Sequence, residues 1–350
     1  MTNRFCSFLS NGLFITDKKD DKSLHFSPCC RYQGSVNSID NINWKNIDDW
    51  VDACSLCYVK ESSNNSSPRL NNKDMNANCN NDELVYLDID YSNACNAACG
   101  ICSPLYSSSI AKITRSENKT TFTPNIRQET FFNEIKSLNL DNLRTLKLIG
   151  GEPFYIDFHK KILKLIKNPE NVQVLYQSNG SIYPDEEWWE LASKFKSIEL
   201  YFSIDGIGER FNYIRSNLKY QEVEENILKI ISDKRVNFKP GIHYTANPLN
   251  AFYFNEIFVL LKKMKSYNPK TQLDWDKANG PWGLANATPT LREKIIKKYN
   301  NNIFSQIFNE LPFNTPSHHN FVKSIELHEK RFNKNGLEIF PEIYEDAIKY

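Results

Sequence analysis

The feature that most constrains this chain is a group of three cysteines, Cys95, Cys99 and Cys102, spaced CxxxCxxC within DIDYSNACNAACGICS. The group directly follows LVYLDID at residues 84–90, an apolar run typical of a strand, so it falls on a loop. Three thiols this close together predict a shared metal, because crowding thiolates of like charge is otherwise costly. A structural zinc ion or a ferredoxin cluster takes four ligands, whereas three cysteines would leave one iron of a 4Fe-4S cluster open. The spacing therefore favours a cluster with an open iron, with a zinc knuckle completed by Cys79 or a histidine as the alternative.

Strand-like and helix-like runs alternate through the middle of the chain. The predicted strands are 84–90, 143–149, 172–178, 197–205, 236–245 and a sixth near 272–276. Between them, FFNEIKSL, FHKKILKLIK, DEEWWELASKF and VEENILKIIS have apolar spacing near 3.6, and the tail from about 288 is predicted to be helical. Strands separated by helices imply parallel units with right-handed crossovers. The pattern predicts an α/β fold, a partial or complete α/β barrel.

A polar stretch rich in Asn and Ser at residues 60–82 marks the best domain boundary. Three parts follow from it. We predict a cysteine-rich module with its connector at 1–82, the barrel at 83–287 and a helical extension at 288–350.

Composition restricts the partners and the compartment. Lys and Arg number 43 and Asp and Glu number 42, which gives a net charge of +1 and makes nucleic acid an unlikely partner. The chain has no apolar run of about 18 residues, and its start lacks the pattern of a signal peptide, which predicts a cytoplasmic protein without a membrane partner. In a reducing compartment the nine cysteines are expected to bind metal rather than form disulfides.

Three more motifs follow successive predicted strands, and a basic residue, Arg215, comes after the last of them. The motifs are GGEP at 150–153, SNG at 178–180 and SIDG at 203–206. Each alone is compatible with a turn or a helix cap, but barrel active sites are built where strands end. Together with the cysteine loop, these motifs resemble the radical S-adenosylmethionine (SAM) superfamily, over roughly residues 84–250.

The resemblance implies a (β/α)6 partial TIM-like barrel whose 4Fe-4S cluster is held by the three cysteines of the loop and binds SAM at its open iron. It implies that the amino group of SAM is held by Gly150, Gly151, Glu152 and Pro153. It implies that the rest of SAM contacts Ser178, Asn179, Ser203, Asp205 and Arg215. The implied reaction is reductive cleavage of SAM to methionine and a 5′-deoxyadenosyl radical that abstracts hydrogen from a substrate. A reducing partner such as flavodoxin or ferredoxin would supply the electron.

The N-terminal cysteines form a second group: Cys6, Cys29, Cys30, Cys54 and Cys57. Their arrangement resembles the SPASM and twitch modules of radical SAM enzymes, although those modules usually follow the barrel and this group precedes it. The resemblance implies an auxiliary 4Fe-4S cluster held by Cys6, Cys29, Cys54 and Cys57, with Cys30 as the alternative to Cys29. A zinc ribbon is the other interpretation. Cys79, in the polar connector, is predicted to be a spare thiol.

Four residues near strand ends are candidates for substrate contact or proton transfer: Tyr201, His243, Tyr244 and Asp274. Radical SAM enzymes with auxiliary modules commonly modify ribosomally made peptides or proteins. The first hypothesis is therefore an oxidoreductase acting on a peptide or protein side chain or backbone, with the N-terminal module or a partner protein recognising the peptide. The second is the same chemistry as a dehydrogenase on a sugar or other small molecule, and the third is a non-catalytic metal-binding scaffold.

Overall fold

The computed structural model describes residues 6–17, 23–41, 51–62, 67–71, 83–117, 128–299, 304, 308, 309, 311 and 313–349. Its strands are β1 Gly12–Thr16, β2 His25–Ser27, β3 Tyr86–Asp90, β4 Ala98–Cys99, β5 Thr145–Ile149, β6 Gln173–Ser178, β7 Ser197–Ser203, β8 Arg215–Ser216, β9 Phe238–Ala246 and β10 Gln272–Lys277. The described α-helices are α1 Ser7–Asn11, α2 Ser55–Ser62, α3 Pro68–Asn71, α4 Ser108–Ser116, α5 Gln128–Ser137, α6 Phe158–Leu163, α7 Glu186–Ala192, α8 Glu209–Ile214, α9 Tyr220–Ser232, α10 Ile257–Tyr267, α11 Pro289–Tyr299, α12 Thr315–Phe332, α13 Gly336–Ile339 and α14 Tyr344–Ile348. None of these helices is both long enough and apolar enough to span a bilayer.

Eight strands form one sheet in the order β10-β9-β7-β6-β5-β3-β1-β2. The six from β3 to β10 are mutually parallel and correspond to the six predicted strands, with helices between them. The α/β fold with a partial TIM-like barrel is therefore confirmed. The predicted set omitted α10, between β9 and β10.

Side chains alternate between two faces of this sheet. In β7, Ile198, Leu200 and Phe202 are completely buried beneath the helices, whereas Ser203 lines a central cavity on the other face. The same alternation places Tyr201 on the cavity side, because successive side chains of a strand point in opposite directions. The carboxyl ends of the parallel strands therefore surround one polar space.

The N-terminal segment adds two strands that the sequence analysis missed. β1 pairs in parallel with β3, and β2 pairs antiparallel with β1. Beyond β2, Arg31 lies 3.8 Å from the carboxylate of Asp276 in β10, the strand at the opposite end of the sheet. The segment before residue 42 therefore extends the sheet and approaches its far edge. The predicted domain limits stay predictions, and residues 72–82 lie outside the described part.

The C-terminal extension is anchored by α12. The side chain of Asn314 accepts a hydrogen bond from the Ser317 amide and caps the start of the helix, and Asn333 ends it in a left-handed conformation. Near that end, Arg331 forms two hydrogen bonds of 2.6 Å with Glu117, which follows α4. This ion pair fixes α12 beside the helix that follows the cysteine loop.

Candidate active site

A cavity of about 810 Å³ lies at the carboxyl ends of the barrel strands. Nine of the twelve residues predicted to bind the cluster or SAM line it: Cys95, Cys99, Cys102, Gly150, Gly151, Ser178, Asn179, Ser203 and Arg215. The other three are buried and are not part of its lining: Glu152, Pro153 and Asp205. Motifs that are far apart in the chain thus meet in one space.

The cysteine loop is held by short polar contacts on both sides. β4 carries Cys99 and pairs with β8, so that Cys99 lies opposite Arg215. On the other side, the hydroxyl of Ser109 donates a hydrogen bond of 2.7 Å to the Cys95 carbonyl. Ser107, the capping residue of α4, donates one of 2.8 Å to the Ala97 carbonyl. The start of α4 and the β8 segment therefore fix the positions of the thiols.

Gly150 and Gly151 pack directly against the backbone of this loop. The Gly151 amide donates a hydrogen bond of 2.7 Å to the carbonyl of Ser92. A methyl group at Gly151 would lie 2.4 Å from the carbonyl oxygen of Ala94, and one at Gly150 would lie 2.7 Å from that of Ser92. The structure thus gives these glycines a role in seating the cysteine loop, besides the predicted approach to SAM.

The carboxylate of Glu152 joins the ends of β5 and β6. One oxygen accepts a hydrogen bond of 2.9 Å from the Ser178 hydroxyl, and the other accepts one of 2.6 Å from the Asn179 amide. Burial raises the pKa of Glu152 to about 7, although these hydrogen bonds oppose the rise. In this structure both oxygens are engaged, one by the last residue of β6 and the other by the residue after it, and the predicted contact with the amino group of SAM stays a prediction.

Arg215 and Asp205 form a buried ion pair beside the cysteine loop. The guanidinium of Arg215 lies 2.7 Å from an Asp205 oxygen, and another of its nitrogens lies 3.8 Å from the Cys99 sulfur. Burial opposes the charge, but Asp205 and Cys99 outweigh it and raise the pKa of Arg215 above its ordinary value. A permanent cation therefore lies where the cysteines would carry negative charge.

Comparison with known families identifies this part of the chain. The family model described as the radical SAM superfamily matches residues 89–242. These residues form a radical SAM domain. The matched range begins in β3 and ends in β9, so it includes the cysteine loop and the three strand-end motifs. The match implies a 4Fe-4S cluster and SAM for this domain.

Several solved structures resemble the chain at low identity. Native anSMEcpe with bound AdoMet has 21% identity and a TM-score of 0.44 over 64% of this chain and 61% of that one. Streptococcus suis SuiB bound to precursor peptide SuiA has 15% identity and a TM-score of 0.41 over 75% and 54%. TYW1 with a lysine-pyruvate adduct has 14% identity and a TM-score of 0.35 over 59% and 70%. The chain thus spans 61% or less of the length of the first two. Among curated proteins, no sequence matches it.

The residues of the radical SAM domain fit such a cluster in number and chemistry. Burial raises the pKa of the Cys95 thiol to about 12, so a metal is needed to hold it as the thiolate at neutral pH. Within the described residues, no three His, Cys, Asp or Glu side chains are arranged around a single ion. A 4Fe-4S cluster takes each thiolate on a different iron and does not require them to converge on one point.

The N-terminal cysteines meet outside the radical SAM domain. A second, small cavity is lined by Cys6, Cys29, Cys54 and Cys57, the set favoured from the sequence. Burial raises the pKa of Cys29 to about 12 and that of Cys54 to about 11. The lining does not include Cys30. The Cys30 thiol instead experiences the charges of Asp88 and Lys147 in the barrel. Cys79 lies outside the described residues.

The substrate candidates are divided between the two faces of the sheet. His243 lies opposite Ser203 in the strand register, and its ring nitrogen is 3.2 Å from Asp274. The hydroxyl of Tyr201 donates to Gln272 at 3.3 Å. These three share the cavity side of the sheet, although none lines the cavity itself.

Tyr244 is on the wrong face for its predicted role. It is buried beneath the helices, and its hydroxyl donates to the Asn250 carbonyl at 2.8 Å. Neighbouring residues of a strand point to opposite sides, so His243 and Tyr244 cannot both face the cavity. Tyr244 is therefore a packing residue of the barrel.

The sequence analysis missed the contribution of the C-terminal extension, and of the segment just before it, to this cavity. Trp282, which follows β10, and the α12 residues Ser324, Leu327, His328 and Arg331 line it. No motif marks these residues, because an amphipathic helix carries no information on what it packs against. The one available hint in the sequence was Gly100, between Cys99 and Cys102, because a glycine there permits the close approach of another group.

Proposed function

We propose that this protein is a radical SAM oxidoreductase that cleaves SAM reductively and abstracts hydrogen from a substrate. The observation that carries the proposal is the single cavity lined by the three loop cysteines, the two glycines after β5, Ser178, Asn179, Ser203 and Arg215. A scaffold that only bound metal would not require the ends of β5, β6 and β7 to converge on the cysteines. The assembled cavity therefore supports an enzyme over a scaffold.

The residues of the chain would divide the work as follows. Cys95, Cys99 and Cys102 would each hold one iron, and the guanidinium of Arg215 beside Cys99 would balance the thiolate charge. Gly151 and Ser203, which both line the cavity, would contact SAM. When bound, a reduced 4Fe-4S cluster supplies the electron that splits SAM into methionine and the 5′-deoxyadenosyl radical. The protein itself contributes orientation, electrostatics and exclusion of water.

The test is anaerobic reconstitution of the wild type and of Cys95→Ala, Cys99→Ala and Cys102→Ala, with dithionite as the reductant. Wild-type protein should bind about eight irons and form 5′-deoxyadenosine from SAM, and each variant should bind about four and form none. Cys30→Ala is the matched control and should behave as the wild type. Undiminished 5′-deoxyadenosine formation in any of the three variants would overturn the proposal.

We further propose an auxiliary 4Fe-4S cluster held by Cys6, Cys29, Cys54 and Cys57. Their common lining of one cavity supports this set, and the position of Cys30 outside it supports Cys29 as the ligand. Such a cluster could accept the electron that a substrate radical loses, which would make the reaction a net oxidation. Cys29→Ser should remove about four irons and Cys30→Ser none. Equal iron in the two variants would reject the assignment, and zinc in place of iron would favour the ribbon.

For the substrate, we propose a ribosomally made peptide or protein, and a flavodoxin or ferredoxin as the reductant. The cavity has room beyond the cluster loop, where it continues between α4 and α12. A short precursor peptide encoded by a neighbouring gene would favour this substrate and would be the probe to assay, with sugars as the comparison. The peptide should stimulate 5′-deoxyadenosine formation and lose two hydrogens. Stimulation by a sugar alone would favour the dehydrogenase alternative, in which the same residues oxidise a small molecule.

A further inference from the structure

We propose that the C-terminal extension, together with the segment after β10 that carries Trp282, forms the outer wall of the cluster cavity, with Trp282 and His328 as positioning residues that hold the cysteine loop at Gly100. The inference rests on the proposed function in one respect, the identity of the group that the loop carries. The contacts that hold the loop are features of the chain itself.

The first observation is the close fit of two rings over Gly100. A methyl group at this position would lie 2.5 and 2.8 Å from carbons of the Trp282 ring and 3.1 Å from Nδ1 of His328. Gly100 lies between Cys99 and Cys102, and its amide donates a hydrogen bond of 2.8 Å to the Ile214 carbonyl. The turn that carries two of the three thiols is thus enclosed between the end of α8 and these rings.

The second observation is that both rings are themselves fixed. Trp282 is buried and packs edge-on against Phe321 and His328 of α12, with ring centroids 6.0 and 5.7 Å apart. Nε2 of His328 lies 2.7 Å from the Tyr213 carbonyl oxygen. Because a carbonyl only accepts, Nε2 carries the hydrogen and the imidazole is held in one orientation.

The third observation is the anchoring of α12 to both sides of the loop. Arg331 pairs with Glu117 beyond α4, and Glu329 accepts a hydrogen bond of 3.2 Å from the Tyr213 hydroxyl. Lys334 donates one of 2.7 Å to the hydroxyl of Ser216, in β8. Since β8 pairs with β4, the extension is tied to both segments that hold the cysteines.

These contacts have a consequence for the chemistry of the loop. A ring that covers Gly100 limits the movement of the Cys99–Cys102 turn and excludes solvent from one side of the cavity. Trp282 and His328 touch the backbone of the loop and act through it, so they position the thiols. Without the Trp282 ring, the turn should open more often and its thiols should become more accessible.

Alkylation of the metal-free protein by iodoacetamide tests this directly, with the modified cysteines mapped by peptide mass spectrometry. In Trp282→Ala, Cys99 and Cys102 should react roughly fivefold faster or more than in the wild type, because local opening becomes less costly. Cys29, in the N-terminal cavity, is the internal reference and should react at the wild-type rate. Trp282→Phe retains a ring and should stay close to the wild type.

Ile325→Ala is the matched control for loss of packing. Ile325 is buried on α12, which packs against Trp282, but it does not line the cavity, so this variant should lose stability without a selective effect on Cys99 and Cys102. If Trp282→Ala fails to fold, Cys29 will also react faster, and Trp282→Leu replaces it with the same expectation. Unchanged rates at Cys99 and Cys102 in a folded variant, or equal acceleration in Ile325→Ala, would overturn the inference.

Release of iron from the reconstituted enzyme separates this inference from the proposed function. With a chelator present, Trp282→Ala should lose iron from the loop several-fold faster than the wild type. Wild-type protein that binds no iron would refute the cluster but leave the alkylation result intact. A wild type that binds iron and cleaves SAM, with a Trp282→Ala variant that releases iron at the wild-type rate, would refute the inference alone.

Discussion

At the scale of single residues, the candidate site depends on close backbone contacts that leave no room for a side chain. Gly151 is the tightest case, because its neighbours are the carbonyl groups of the cysteine loop. A carbonyl fixed in a loop cannot move aside as a flexible side chain can, so any added atom must displace the loop. Cluster binding is therefore sensitive to a residue that is not itself a ligand.

Gly151→Ala should displace the cysteine loop and reduce iron binding. The added methyl group would lie 2.4 Å from the Ala94 carbonyl oxygen, and relief of such overpacking costs about 1–3 kcal/mol. The measurement is iron content after reconstitution, together with the free energy of unfolding. Gly208→Ala is the control for iron content: its φ of +56° makes a side chain costly for stability, but nothing lies within 4 Å of the added methyl, so it should keep its iron. Wild-type iron content in Gly151→Ala would contradict the seating role of this glycine.

Glu152 should make stability depend on pH. Burial raises its folded-state pKa to about 7, above the value of about 4.3 expected in the unfolded chain. The folded protein then binds more protons than the unfolded chain between these two values, so the free energy of unfolding falls as pH rises from about 4 to about 7. A pKa shift of this size corresponds to up to about 4 kcal/mol in the free energy of unfolding.

Urea denaturation of the metal-free protein between pH 5 and 8 measures this effect. Glu152→Gln has no ionisable group at the site and should lose this component of the pH dependence, whatever its absolute stability. A slope that is the same in both proteins would show that Glu152 does not titrate as the structure indicates.

At the scale of elements, the N-terminal strand β1 connects the second cysteine group to the barrel. Ile15 of β1 is completely buried and pairs with Ile89 of β3. Ile15→Ala should therefore destabilise the protein by about 2–5 kcal/mol and loosen the N-terminal cysteines from the sheet. The measurement is the free energy of unfolding, with the iron bound by the N-terminal group as a second readout.

Leu70→Ala provides the comparison for this prediction. Leu70 is in the same N-terminal region but is 40% exposed, so its truncation should change stability by no more than about 0.5 kcal/mol. Similar effects of the two substitutions would mean that β1 is not integrated into the core as described.

At the scale of the whole molecule, the two ends of the sheet are brought together across the N-terminal segment. The visible link is the pair of Arg31 and Asp276, whose side chains are 49% and 53% exposed. Exposed ion pairs contribute little, because solvent screens the charges and both side chains lose freedom. Packing of β1 and β2, rather than this pair, must therefore hold the segment in place.

Arg31→Ala should accordingly change the free energy of unfolding by no more than about 0.5 kcal/mol. Thermal or urea denaturation of the wild type and the variant at low and high salt is the measurement. If the variant lost several kcal/mol of unfolding free energy, or if only the wild type depended strongly on salt, this ion pair would instead hold the N-terminal segment in place.

The sequence by itself determined the six barrel strands and the sites of the three strand-end motifs. It could do so because apolar periodicity and turn residues are local properties, and because parallel strands bring their carboxyl ends to one edge. The set of Cys95, Cys99 and Cys102 followed from spacing in the same way.

Only the tertiary structure decided the contacts between segments distant in the chain. It paired β1 with β3, grouped Cys29 rather than Cys30 with the other N-terminal cysteines, and turned Tyr244 away from the cavity. It also joined the Glu152 carboxylate by hydrogen bonds to the end of β6, and it placed the Trp282 ring over Gly100. Each of these outcomes depends on packing between surfaces, which periodicity within one segment does not encode.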